Sequence, residues 1–150
     1  MLSETDYLRC IDQRPLISID LIIKNEKGQI LLGKRLNKPA QGAWFVPGGV
    51  IYKNEKQSDA LARISQRELG ITIPHEATTL LNVYEHFYQD NFAGAEGIST
   101  HYVVIGRSYT LPHNTALTLD NQHERIEWWD IKDLLASPEV HQYTKDYFQS

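Results

Sequence analysis

The sequence predicts an α+β fold in which a mixed β-sheet packs between helices, an α/β/α sandwich. Three observations predict it. Apolar segments of strand length outnumber helical ones, a single amphipathic helical stretch lies near the middle of the chain, and no repeat or low-complexity tract interrupts them. At 150 residues the chain is read as one domain spanning 1–150, long enough to bury a core without disulfides.

The elements follow in order. Ser3 followed by Asp6 reads as an N-cap with an acidic first turn, opening a helix that runs to about Gln13 and stops before Pro15. Leu16–Lys24 is rich in Ile and Leu and reads as a buried strand. Residues 25–28 form a turn and 29–34 return as the second strand of a hairpin. Pro39 and Gly42 mark a loop before a brief apolar strand at Trp44, Phe45 and Val46. Asn54, with Gln57 as its capping-box partner, is expected to cap the central helix, which Gly70 closes. Residues 79–88, 99–110 and 125–129 read as strands, and 131–136 and 139–149 as helices.

Composition narrows the function. The formal net charge of −4 argues against a nucleic-acid backbone as partner. A small anionic ligand would need local cations or a metal ion. Cys10 is the only cysteine, the first residues carry acids where a secretory signal carries bases, and no apolar run has transmembrane length. The cytoplasm is the expected location, with no membrane partner.

The chemistry concentrates between Gly49 and Ile71. Gly49, Glu55, Arg63, Glu68, Gly70 and Ile71 resemble the Nudix box, G-x5-E-x7-R-E-U-x-E-E-x-G-U, where U is a bulky aliphatic residue. Ile64 and Arg67 stand where that pattern has glutamates, and Ser65 where it has an aliphatic. The Nudix fold is therefore the expected form of the sandwich. The carboxylates of such a helix bind hard cations through oxygen, and positions 64, 67 and 68 here sum to no net charge. That composition suits one Mg²⁺ per site, for which Mn²⁺ can substitute, and requires a general base from outside the helix.

A second block, from Gly33-Lys34-Arg35 through Trp44 to Gly49, resembles the GDP-mannose mannosyl hydrolase branch of the Nudix superfamily, which also lacks two box glutamates. So do the segments around Asp20, His86, Tyr102 and Gln122-His123. The resemblance implies hydrolysis of a GDP-sugar, best GDP-mannose, by water attack at C1 with inversion, and a homodimer. It implies Gly49 (through its carbonyl), Glu68 and Gln122 as metal ligands and His123 as base. Arg35 and Tyr102 would contact the diphosphate, and Asp20 and His86 the sugar, with Arg35, Asp20 and Tyr102 also contributing to catalysis. An Asp inside the apolar run Ile19–Ile23 is costly to bury, which independently marks Asp20. His123 is otherwise an ordinary loop histidine, His86 and Tyr102 ordinary strand packing, and Arg35 a strand-end surface arginine.

One position departs from the branch: Val50 replaces an arginine aimed at the leaving phosphate, and Arg67 or Lys53 are the cations nearby in sequence. Two other functions stay open. One is an ordinary Nudix pyrophosphohydrolase giving GMP and a sugar phosphate. The other is a nucleotide-sugar binding module without activity.

Overall fold

The computed structural model describes residues 2–117 and 123–149, without the side chains of His123 and Glu124. Side-chain alternation along β1 (Leu16–Lys24) sets the layering, because successive residues of a strand face opposite sides of its sheet. Ile19, Leu21 and Ile23 join Leu31 and the apolar stripe of α2 (Gln57–Leu69): Ala60, Leu61, Ile64 and Leu69. Ile22 faces the other way, into a cluster with Ile30, Leu32, Trp44, Val46, Leu134 and Val140. Helical elements thus cover both faces of one mixed sheet, as expected for the sandwich.

The sheet order is β3 (Trp44–Phe45), β2 (Ile30–Arg35), β1, β6 (Thr100–Thr110), β5 (Thr79–Tyr88); β4 (Gly48–Val50) also pairs with β1, and β7 (His123–Trp129) with β2. β1 and β6 run parallel from Leu16↔Tyr102 to Lys24↔Thr110, and the other strand pairs are antiparallel. The expected hairpin of β1 with β2 shrinks to the pair Lys24↔Ile30. Its physical reason is competition: β4 takes that edge of β1 at Ser18–Asp20, while β2 bonds to β7 and β3 instead.

The helix ends follow local chemistry. α1 (Glu4–Gln13) is capped by Ser3, whose hydroxyl accepts from the Asp6 N–H at 3.2 Å. α2 ends at Gly70, whose φ of 72° suits a residue without Cβ. Asn54 does not cap α2. The helix begins at Gln57 after Lys56, and Asn54 adopts φ 67° in the preceding turn, a conformation asparagine tolerates. α3 (Ile131–Ala136) forms as expected. The helix expected over 139–149 does not begin until α4 (Gln142–Lys145) and continues as a 3-10 turn at Asp146–Phe148. Residues 139–141 are extended because their backbone bonds to β3: Trp44 N–H donates to the Glu139 carbonyl, and His141 N–H to that of Trp44.

β5 forms one margin of the sheet. Leu80, Val83 and Phe87 on β5 and Ile17 on β1 leave an apolar strip exposed, with Val83 at 52% and Phe87 at 58%. Two of its backbone positions are already bonded by side chains. The Tyr143 hydroxyl accepts from Phe87 N–H at 2.8 Å and donates to its carbonyl at 2.9 Å, and the Asn82 side chain accepts from Val83 N–H. No helix among the described residues is long and apolar enough to cross a membrane.

Candidate active site

The loop entering α2 is held by an arginine. Arg63 bonds both oxygens of Glu55 (2.8 and 2.9 Å), donates to the Val50 carbonyl at 2.7 Å, and lies 3.8 Å over the Tyr52 ring. These bonds hold the Glu55 carboxyl below the usual carboxylate range. The pair fixes the path of residues 50–55 against the helix.

Ile64 is fully buried in the α2 core. A Cβ on Gly49 would meet the Ile64 side chain at 2.9 Å and Arg67 Nη2 at 3.1 Å, so β4 lies directly on this part of α2. Glu68 is only 1% exposed, with the Arg67 guanidinium 3.7 Å from Oε1. Gly49 and Glu68, two of the three expected metal ligands, therefore belong to adjoining parts of β4 and α2. Gln122 lies outside the described residues. Among the described residues, no group of three or more His, Cys, Asp or Glu is arranged to hold a metal ion.

The second group surrounds Asp20. Its neighbours in register are glycines on both sides, Gly48 on β4 and Gly106 on β6. At Gly48 any Cβ would overlap the Asp20 carboxylate and the Ile19 carbonyl, so glycine is required by close approach. At Gly106 a Cβ would meet the Tyr84 ring at 2.9 Å and the Tyr147 ring at 3.5 Å. The Tyr147 hydroxyl donates to Asp20 Oδ2 at 2.5 Å. Burial raises the Asp20 pKa to about 6, opposed by this hydrogen bond and by the charge of Arg35.

Tyr102 on β6 stands opposite His86 on β5. Burial pushes its hydroxyl up to about 12, with Tyr7 adding to the rise and Arg35 opposing it. Asp20, Arg35 and Tyr102 thus lie within electrostatic reach of one another. His86 is buried, stacked on Tyr143 at 4.1 Å and 6°, and desolvation lowers its pKa to about 4. It is a neutral hydrogen-bonding group at physiological pH. Arg35 is anchored by its Nε donating to the Pro39 carbonyl at 3.0 Å. His123 opens β7 with its Cα paired to that of Arg35.

Sequence reasoning missed Tyr88, His141, Tyr143 and Tyr147, which crowd the same face. Two signals pointed to them. One is the density of aromatic and imidazole rings between 141 and 148. The other is Gly106, isolated within an apolar strand, where glycine marks close approach of another group.

Residues 14–149 match the NUDIX domain family. The chain belongs to that family. Its relatives include the low-salt glycan biosynthesis protein Agl8 of Haloferax volcanii, 41% identical over 130 residues that cover 86% of this chain and 80% of Agl8. The MutT protein of Methanosarcina mazei Go1 superposes with a TM-score of 0.71 at 22% identity, covering 91% of this chain and 92% of that one. A MutT NUDIX hydrolase from Burkholderia pseudomallei gives 0.71 at 28% identity, covering 90% and 96%. The Nudix fold and membership of the hydrolase family follow.

Nudix hydrolases generally use divalent cations. Glu68 is the buried carboxylate of α2, next to Arg67 where the helix meets β4; Mg²⁺ keeps several waters and takes one or two carboxylates plus substrate phosphates. With Ile64 in the core and Arg67 beside Glu68, the helix does not offer the carboxylates of a multi-ion site.

Restoring the box glutamate, Ile64→Glu, should place a carboxylate in an apolar cluster and destabilise the fold by about 3 kcal/mol or more, lowering Tm by several degrees. Calorimetric unfolding checks this. An unchanged Tm would mean that the new side chain reaches solvent or an ion.

Proposed function

We propose that this Nudix enzyme hydrolyses a GDP-hexose, with GDP-mannose preferred, to GDP and free sugar. The water oxygen bonds to C1 as the bond from C1 to the β-phosphate oxygen breaks, with inversion. The observation that carries the reading is the grouping of Asp20, Arg35 and Tyr102 with glycine on both sides of Asp20. A carboxylate, a neutral imidazole and several hydroxyls suit a polyhydroxylated ring, whereas the arginine fork suits a diphosphate. In this reading Asp20 and His86 bind the sugar, and Arg35 and Tyr102 bind the diphosphate and stabilise its charge as it leaves.

His123 takes the proton of the attacking water, which supplies the base that the carboxylate-poor α2 lacks. Its backbone pairing with Arg35 supports that role. Glu68, the Gly49 carbonyl and Gln122 would hold one Mg²⁺, with Mn²⁺ as a substitute. When bound, the ion neutralises the diphosphate so that it leaves without being protonated. The name of Agl8, a glycan biosynthesis protein, accords with a sugar-nucleotide substrate. A single cysteine, Cys10, accords with a cytoplasmic location.

We infer a homodimer with it, formed through the strip of Leu80, Val83, Phe87 and Ile17. These side chains expose together on the order of 400 Å² per copy, the size of patch that marks an interaction site. A like patch on a second copy matches it in chemistry.

The reaction is tested in ¹⁸O-enriched water with Mg²⁺ and GDP-mannose, with products read by mass spectrometry. GDP with label in free mannose is expected. GMP with mannose 1-phosphate would assign pyrophosphohydrolysis instead, and GDP-mannose bound without turnover would assign a binding module. His123→Gln should lower kcat by about 10²-fold or more while GDP affinity holds; wild-type turnover would remove His123 as base. Val83→Asp should convert the dimer to a monomer in light scattering, and an unaltered dimer would place the interface elsewhere.

A further inference from the structure

The proposed reaction leaves the C-terminal rings of the Asp20 face without a role. Tyr147 sits in the notch that Gly106 leaves in β6, edge-on to Tyr84 at 4.7 Å and 89°, with its hydroxyl on Asp20 Oδ2. Tyr143 lies parallel to the buried His86 ring, and its hydroxyl clasps the Phe87 backbone from both sides. Both tyrosines come from α4 and the 3-10 turn after it, far in sequence from the strands they touch.

We propose that this C-terminal segment is the specificity wall for the glycosyl unit, with Tyr147 positioning Asp20 and Tyr143 positioning His86. The inference rests on the assignment of Asp20 and His86 to the sugar. Tyr147 occupies one carboxylate oxygen, which fixes the orientation of the group and leaves Oδ1 over Gly48. Oδ1 lies toward Gly48, so neither strand beside Asp20 brings a Cβ over it. Asp20 remains partly exposed even so. Tyr143 holds His86 flat, so that its ring nitrogens keep one direction. A fixed carboxylate and a fixed neutral imidazole, with the Tyr147 ring between them, select the spacing of ligand hydroxyls, and aromatic faces pack on the C–H side of a sugar ring. The ligand class is thus a neutral polyhydroxylated ring attached to a nucleoside diphosphate, and the wall discriminates among such rings.

The test compares ligands with and without the sugar. Titration calorimetry with GDP-mannose and with GDP, both with Mg²⁺, is run in the His123→Gln background so that the ligand survives. Tyr147→Phe, which keeps the ring and removes the hydroxyl, should weaken GDP-mannose binding by about 10-fold and alter GDP binding by less than about 2-fold. Tyr143→Leu, which removes the ring stacked on His86, carries the same expectation and serves if Tyr147→Phe does not fold; thermal unfolding reports on folding. Equal weakening of both ligands, or no weakening, would show that the rings only support the fold and overturns the inference. A parent protein that binds GDP-mannose no better than GDP overturns it as well. Products of GMP and mannose 1-phosphate would instead overturn the proposed reaction, and a loss of binding specific to the sugar would still uphold the wall.

Discussion

β1 is hydrogen-bonded along both edges, to β6 in parallel and to β4 and β2 antiparallel, and the placement of the rest depends on that register. A slip of one residue would turn Ile19, Leu21 and Ile23 away from α2 and bring Asp20 into the apolar cluster. The burial of the odd-numbered side chains is therefore what holds Asp20 on the opposite face. The same register aligns Gly48 and Gly106 with Asp20, and it joins the loop of Gly49 to the strand that carries the carboxylate. Core and site are two readings of one strand.

This division makes the chemistry of α2 intelligible. The helix pairs an apolar stripe with a few polar anchors, and Ile64 belongs to the stripe. A glutamate there would have to leave the core or alter the packing of Gly49. Arg63, by contrast, serves the backbone: its contacts to Glu55, Val50 and Tyr52 bind the entry loop to the helix. α2 thus fixes the position of β4, and through β4 the surroundings of Asp20. Glu68 is the carboxylate that remains where the helix meets that strand.

Strand positions were legible because alternation and β-branched content act locally. β1 and β5 have the expected bounds, and Gly70 ends α2 by the conformation that glycine permits. Elements whose state depends on distant partners were less so. Asn54 had the right chemistry for a cap but lies two residues before the N-cap position, and residues 139–141 carry helical sequence yet bond to Trp44. In the candidate site, Asp20 stood out as a charge within an apolar run, which is a local cost. Tyr147 and Tyr143 did not: the rings crowded between 141 and 148 mark the segment, but the strands it folds back onto, β1 and β5, are set by distant partners.

Tyr143 has a second consequence. An outermost strand with apolar side chains and open amide groups is a template on which further strands can add side by side into fibrils. At Phe87 one phenol meets both the donor and the acceptor that an incoming strand would need, and Asn82 meets the donor at Val83. Lateral growth is thereby hindered at Val83 and Phe87, while the apolar side chains remain open to contact. Two side chains thus oppose pairing through the backbone beside a strip whose side chains stay exposed.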